Sequence, residues 1–327
     1  MEKKKLCQKC NLIFNDNQSF CPECKDKLVL PEITDDFLKD FLKIDDLTLA
    51  RFKKIREQTI EEAKKLSKKN KTMKAIGISG SARDEFDMAG ESSNSEFLLK
   101  ECLEELKSLG AKTELIALRK YNIKPCKACY STTNCQCHFY CSCYPKGTVT
   151  ADDMSNVLYD KILEADIIIF ATPVNDIKMS SHLSLFIDRC ISLDGSLGPA
   201  DLKATKNKEL NIKHTQFVQL MADENVLGSG FFRRFAGKTA GIIVTGHEVG
   251  AAMVISSLFM ALNHWGMAFA PWSNMYAMSS ILNATHQDKK IVTAPVYIKE
   301  AKDLAKNAHA LCALTRKNNW QYENSAN

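Results

Sequence analysis

The sequence predicts an α/β protein built on a doubly wound, five-stranded parallel sheet in three layers. Short β-rich runs alternate with amphipathic stretches, and five such runs occur between residues 73 and 327. None of the runs reaches the roughly 18 apolar residues that a membrane span needs. The predicted strands cover 74–79, 112–118, 165–171, 238–245 and 266–270. The predicted helices cover 95–110, 151–165, 180–193 and 250–265, and a closing helix covers 295–314.

The composition limits the classes of partner. The 327 residues carry a formal net charge of +5, of which residues 1–72 supply +4 (17 basic minus 13 acidic). A surplus this small does not predict nucleic-acid binding. The first residues show no apolar run of the kind that makes a secretory signal peptide. The sequence therefore predicts a cytoplasmic protein with no membrane partner, in a compartment where thiols stay reduced.

Residues 1–30 predict a small metal-binding ribbon. Two C-x-x-C pairs at this spacing are typical of tetrahedral zinc sites, and so short a segment needs bound metal to fold. A rubredoxin-like iron site is the alternative. Zinc is favoured because Asn11 and Lys25 stand where the rubredoxin glycines usually follow. The predicted ligands are Cys7, Cys10, Cys21 and Cys24.

Residues 31–72 predict a helical linker between this ribbon and the main domain of residues 73–327. Thr34 is placed to cap the first turn, and Phe37, Leu38, Phe41 and Leu42 recur at helical spacing. The lysine-rich end of the segment indicates a solvated helix terminus.

The loop after the first predicted strand combines serines with a following helix N-terminus. Backbone N–H groups and hydroxyls at such a terminus favour an anion, which predicts a phosphate site. An ordinary serine-rich turn with a capped helix is the alternative, because neither G-x-G-x-x-G nor G-K-[ST] is present. Gly80 permits the turn, and the candidate phosphate ligands are Ser79, Ser81, Arg83, Ser93, Asn94 and Ser95.

A loop at 124–147 concentrates thiols, with six cysteines in eighteen positions. In a reducing compartment such a cluster indicates bound metal or a redox centre before disulfides. The six are Cys126, Cys129, Cys135, Cys137, Cys141 and Cys143. Three further cysteines in helical apolar patterns, Cys102, Cys190 and Cys312, are predicted to be core residues.

Five motifs, in their shared order, carry a family resemblance. The segments "ISGSAR…SNS", "IKPCKAC", "DDM", "ADIIIFATPV" and "LFIDRC" resemble the iron–sulfur flavoproteins of the NADPH-dependent FMN reductase group, which have a flavodoxin-like fold. The resemblance covers residues 74–190 and, more loosely, 236–270. It implies FMN, with its phosphate on the serine loop and its ring beside two further loops. The implied ring contacts are Pro173, Val174, Asn175, Asp176, Gly246, His247 and Glu248.

The resemblance also implies a [4Fe–4S] cluster on the cysteine loop. Cys126 and Cys129 match the family's first C-x-x-C, whereas its third cysteine falls at Thr132, so two of Cys135, Cys137, Cys141 and Cys143 are left to complete the ligand set. A structural zinc site is the alternative. Two further departures are Asn175 in place of the usual tyrosine and a longer segment at 195–236.

The implied function is an oxidoreductase that relays electrons between NAD(P)H or ferredoxin and an acceptor that the sequence does not name. Family members form dimers or tetramers, so a homodimer or homotetramer is expected. Two alternatives stay open. One is a flavin reductase with structural zinc at both cysteine sites, and the other is a non-catalytic zinc-ribbon adaptor on a degenerate flavodoxin-like domain.

Overall fold

The sheet organises the structure, a computed structural model that describes residues 5–10, 12–14, 18–29, 31–68, 71–84, 92–131, 134–147, 152–223, 225–247, 250–279 and 291–317. Five parallel strands lie in the order β4-β3-β5-β7-β8. Their bounds are β3 Lys74–Ser79, β4 Lys112–Ala117, β5 Ile167–Asn175, β7 Thr239–His247 and β8 Ala268–Ser279. A two-residue strand, β6 (Lys178–Met179), folds back antiparallel on the end of β5.

Helices cover both faces of this sheet. One face carries the buried side chains of α3 and α8, and the other packs against α4, α5 and α7. The helices are α3 Asn94–Ser108, α4 Tyr159–Glu164, α5 Ser181–Cys190, α7 Ala251–His264 and α8 Pro295–Lys317, and a π-helical turn (Met154–Leu158) leads into α4. This arrangement confirms the predicted three-layer, doubly wound fold. The lone cysteines Cys102, Cys190 and Cys312 are buried in these layers, as predicted.

The segment 31–72 forms two helices rather than one. The first, α1 (Asp35–Leu42), is capped by Thr34, whose hydroxyl accepts from the Phe37 N–H at 3.2 Å, as predicted. Lys43 then adopts a left-handed conformation (φ 53°), and Asp45 caps α2 (Asp46–Ser67). Because a left-handed residue cannot continue an α-helix, the chain turns between α1 and α2.

These two helices belong to a second hydrophobic core. They pack on α6 (Lys208–Met221), a helix that the sequence analysis did not predict, through Phe52, Phe217 and their neighbours. The ribbon joins the same core through Leu6, which is 1% exposed. The ribbon's own strands are β1 (Lys5–Cys7) and β2 (Leu12–Phe14), paired antiparallel. The N-terminal segments are therefore packed against the 195–236 segment.

Among the described residues, no helix is both long and apolar enough to cross a membrane.

Candidate cofactor site and cysteine centres

A cavity of about 310 Å³ opens at the carboxyl ends of the parallel strands. This is the edge of a doubly wound sheet where ligands bind. It lies between the loop after β3, the end of β5, the end of β7 and β8. Its lining consists of Ser81, Ala82, Arg83, Ser93, Asn94, Pro173, Val174, Asn175, Thr245, Gly246, Ala277, Ile291 and Val292.

The polar end of the cavity is the N-terminus of α3. Ser93 caps that helix by accepting from the Glu96 N–H at 3.2 Å, and its hydroxyl lies 3.1 Å from that of Ser95. Within the described residues, Asn94 Oδ1 is buried and has no hydrogen-bond partner. Because buried polar atoms normally have partners, this amide indicates a ligand group beside it, and with the amide turned its NH2 group would donate to a phosphate oxygen. Arg83 is exposed at the rim and supplies a guanidinium to the same volume.

Ser79 and Ser95, two of the predicted phosphate ligands, are buried and are not among the residues that line the cavity. The Ser79 hydroxyl instead donates to the Glu96 carboxylate at 3.0 Å. Glu96 also accepts from Arg119 on the far side. Burial alone raises the pKa of Glu96, but the hydrogen bonds from Arg119 and Ser79 are sufficient to hold it below its ordinary value. The Glu96–Arg119 ion pair therefore stabilises the polar end of the cavity.

The apolar end of the cavity is formed by the last residues of β5 and by small side chains of β7 and β8. Pro173 pairs with Thr245, and Val174 lies against Gly246, where a Cβ atom would come within 3.2 Å of Val174 Cβ and the φ angle is 142°. Gly246 is therefore required both by the backbone conformation and by the space beside Val174. Asn175 lines the cavity, whereas Asp176 occupies the exposed turn before β6 with φ 48° and does not.

The third predicted loop is described only in part. The His247 backbone ends β7 in register with Ser279, and Glu248 lies outside the described residues. The residues Thr245, Ala277, Ile291 and Val292 line the cavity but were not predicted. Their small or apolar side chains carry no sequence signal for chemistry, and only the fold brings them to this edge.

The lining fits FMN. Hydroxyls, an amide, a guanidinium and a helix N-terminus at one end suit a phosphate dianion. The apolar wall of Pro173, Val174, Ala277 and Ile291 suits a flat ring system. Among the described lining residues there is no aromatic side chain to stack on that ring, in agreement with the asparagine at position 175.

The four ribbon cysteines form a compact ligand set. Their sulfur atoms all lie within 4.8 Å of one another, and Cys7 Sγ is 3.3 Å from Cys24 Sγ. Burial raises the pKa of the Cys7 thiol, but the Cys10 N–H and the neighbouring thiols outweigh it and lower that pKa to about 7. With Zn–S bonds of about 2.3 Å, tetrahedral geometry requires sulfurs about 3.8 Å apart. The set therefore fits one tetrahedral ion.

The cysteine loop at 126–143 is a looser group. Cys143 Sγ lies 2.7 Å from Cys129 Sγ and also forms a hydrogen bond with the Cys141 thiol, which lowers the pKa of Cys141 to about 6. Cys126 and Cys137 lie close enough to Cys129 and Cys141 to interact electrostatically with both. Within the described residues, no three of these sulfurs lie as close together as those of the ribbon.

Two cations face these thiols. Lys206 Nζ donates to Cys129 Sγ at 3.2 Å, and Arg189, buried at the end of α5, contributes to the lowered pKa of Cys141. Arg189 forms a buried ion pair with Asp152, which fixes α5 inside the chain. Thiolates that gain cationic neighbours are favoured over thiols, which is the condition for binding metal.

The chain is similar to a family and to several individual proteins. Residues 73–280 match the NADPH-dependent FMN reductase family model. An iron–sulfur flavoprotein of Archaeoglobus fulgidus is 32% identical over 117 residues, which is 36% of this chain and 48% of that protein. A Methanosarcina thermophila iron–sulfur flavoprotein is 32% identical over 121 residues, or 37% and 54% of the two chains. This chain thus spans about half the length of these relatives.

A solved structure shows the same fold. The structure of RosB with bound 8-demethyl-8-formylriboflavin-5'-phosphate superposes with a TM-score of 0.53 at 16% identity, covering 76% of this chain and 82% of that one. At this identity the likeness concerns the fold alone. The family match covers well over half of the sequence and includes the strands and loops that form the cavity. The chain therefore belongs to the NADPH-dependent FMN reductase family of oxidoreductases.

Proposed function

We propose that this protein is an FMN-dependent oxidoreductase that also carries a [4Fe–4S] cluster on its cysteine loop and zinc in its ribbon. Electrons would enter from NAD(P)H or a one-electron carrier such as ferredoxin and leave to an acceptor of unassigned identity. The flavin part of the proposal rests on the cavity at the N-terminus of α3. The arrangement of the six loop cysteines carries the iron–sulfur part. A cytoplasmic location suits these reduced thiols.

The chain's contribution at the flavin site is to bind and orient. Ser81, Ser93 and Arg83 would donate to the phosphate, and the Asn94 amide would donate to it through its NH2 group. Bound FMN accepts hydride and passes on electrons singly or in pairs. Pro173 and Val174 hold the ring end against Gly246 and exclude water from that side of the cavity. The rest of the cavity stays open to a reductant.

The spacing of the loop thiols supports a cluster over a single zinc ion. A tetrahedral ion needs its sulfur ligands as close together as those of the ribbon, and the described loop cysteines offer no such set of three. In a [4Fe–4S] cluster each thiolate binds a different iron, so its sulfurs stand further apart. Cys129 and Cys143 are in contact, so both can bind only if their thiols separate.

The interactions among the loop thiols support a particular set of four cluster ligands. Cys126 interacts with both Cys129 and Cys141. Cys137 interacts with all three of these thiols, and Cys143 interacts with Cys129 and Cys141. We assign the first three as ligands and either Cys137 or Cys143 as the fourth. This assignment leaves Cys135 outside the set of four ligands.

The flavin site and the cysteine loop lie at opposite ends of α5. Its cap, Ser180, donates to the Gly80 carbonyl at 2.6 Å, and Arg189 near its other end donates to the Lys124 carbonyl at 2.9 Å. Ten helical residues span about 15 Å. A homodimer or homotetramer that brings the loop of one copy to the flavin of another would shorten this path, and we include such an assembly in the proposal.

The experiment that tests the proposal is cofactor analysis of anaerobically purified protein. One FMN, four iron, four sulfide and one zinc per chain are expected, with a visible band that bleaches on reduction with NADPH or reduced ferredoxin. Two zinc and no iron would replace the cluster by a structural site and leave a plain flavin reductase. Absence of flavin binding would favour the non-catalytic adaptor. Light scattering of the same sample gives the oligomeric state.

A further inference from the structure

The 195–236 segment contacts the cysteine loop along much of its length. The Phe139 N–H donates to the Leu197 carbonyl at 3.1 Å. Asn211, in the first turn of α6, donates through its side-chain amide to Gln136 Oε1 at 2.8 Å. The Gln136 amide in turn reaches the Lys206 carbonyl at 3.4 Å. These bonds join the segment to the loop on both sides of Cys137.

The same segment places one cation directly on the thiols. Lys206 Nζ lies 3.2 Å from Cys129 Sγ and 3.3 Å from the Gln136 carbonyl oxygen, so its direction is fixed by two partners. Cys143 Sγ, in contact with Cys129, lies within reach of the same ammonium. The Lys206 carbonyl accepts from the Gln136 side-chain amide, and α6 begins two residues after Lys206, following its cap Asn207.

We propose that Lys206 is a positioning residue of the iron–sulfur centre, which orients the Cys129 sulfur and makes the bound cluster easier to reduce. This inference rests on the proposed function, because it requires a cluster on the loop. A cluster held by thiolates gains a negative charge on reduction. An N–H donor to sulfur and a nearby positive charge both stabilise the reduced form and raise the potential. The ammonium is partly exposed, so solvent reduces its effect.

Three variants separate the charge from the shape. Lys206→Met removes the ammonium and keeps the length of the side chain. Lys206→Arg keeps the charge and a donor. Lys203→Met is the matched control, because it removes the same charge from an exposed position in the same segment. Each is purified anaerobically at full length, and its iron content and midpoint potential are measured by redox titration with electron paramagnetic resonance detection.

Lys206→Met is expected to lower the ratio of reduced to oxidised cluster about three- to tenfold at the wild-type midpoint, where tenfold equals about 59 mV for one electron. Lys206→Arg and Lys203→Met are expected to keep the wild-type ratio. If Lys206→Met loses iron while Lys206→Arg keeps it, the positioning role is supported. A wild-type ratio in Lys206→Met, an equal shift in Lys203→Met, or iron loss in both Lys206 variants would overturn the inference. Wild-type protein without iron would overturn the proposed function instead.

Discussion

The guanidinium of Arg189 donates to both carboxylate oxygens of Asp152, at 2.7 and 2.8 Å, and both side chains are almost fully removed from solvent. The same guanidinium donates to the Lys124 carbonyl, two residues before Cys126, and lies over the ring of Tyr144, next to Cys143. The two ends of the cysteine loop are therefore attached to one buried ion pair at the end of α5.

Breaking this pair is expected to be costly. Arg189→Met leaves the Asp152 carboxylate buried without its counter-charge, and loss of one partner of such a pair typically costs about 3–5 kcal/mol. Urea denaturation of the cofactor-free protein measures the change. Arg51→Met is the control, because its ion pair with Asp201 is screened by solvent and is expected to contribute little to stability. Equal losses in the two variants would contradict a special role for Arg189.

Asp152 also predicts the pH dependence of stability. Burial alone raises its pKa, but the hydrogen bonds from Arg189 and from the Lys124 N–H hold that pKa below its ordinary value. Because the folded-state pKa lies below the unfolded value of about 3.9, the stabilisation is fully present above about pH 4. It is lost as the pH falls through the folded-state pKa. The free energy of unfolding is thus expected to fall more steeply below pH 4 in the wild type than in Asp152→Asn, and parallel curves would contradict this account.

Substitutions at the phosphate end of the cavity are expected to weaken FMN binding in steps. Arg83→Ala and Asn94→Ala each remove a hydrogen bond to the charged phosphate, and such a bond is worth about 1.5–3 kcal/mol. The double variant is therefore expected to bind FMN at least about a hundredfold more weakly, since each 1.4 kcal/mol is tenfold. Titration of the flavin-free protein with FMN, followed by flavin fluorescence, measures this affinity.

Asn263→Ala is the control for that titration, because this asparagine is exposed on α7 away from the cavity lining. Its affinity is expected to match the wild type. If the double variant also binds FMN as tightly as the wild type, the phosphate lies elsewhere.

Local patterns account for what the sequence could predict. The five strands follow from short apolar runs, and the ribbon from two C-x-x-C pairs, since both are encoded by neighbours in the chain. The pairing of Glu96 with Arg119 was not predictable, because the two meet only when α3 packs beside the end of β4. The helix α6 was missed because its buried face includes Asn211 and His214, which blur the apolar period.

The sequence also could not predict that the N-terminal segments pack against the 195–236 segment. A helical segment with many lysines indicates a solvated linker, yet Phe52 is fully buried and its ring packs at tilted angles against those of His214 and Phe217. Only the tertiary structure shows that α2 and the 195–236 segment share one core. Arg234 connects the same segments, because its guanidinium donates to the Glu62 carboxylate of α2 and lies over the ring of Phe139 in the cysteine loop.

The ribbon is expected to hold one zinc ion through its four cysteines. Cys21→Ser removes a buried ligand, so zinc content should fall from one to none per chain while FMN and iron stay near wild-type amounts. Metal analysis of the purified variant measures all three. Removal of residues 1–30 should likewise leave the flavin content unchanged. Iron in the isolated wild-type ribbon would show that the site is rubredoxin-like instead.

The most discriminating prediction concerns the ligands of the cluster. Cys126→Ser, Cys129→Ser and Cys141→Ser are each expected to abolish iron binding, because Cys126 interacts with both of the other thiols and Cys137 interacts with all three. Cys135→Ser is the matched control from the same loop, and it is expected to retain four iron per chain. Of Cys137→Ser and Cys143→Ser, one should lose the iron and the other keep it. The variants are compared by iron and sulfide analysis after anaerobic purification, with zinc as the internal measure of a folded ribbon. Iron loss in Cys135→Ser, or full iron in Cys129→Ser, would contradict the ligand set, because the contacts of Cys129 with Cys143 and with Lys206 would then belong to a thiol outside the cluster.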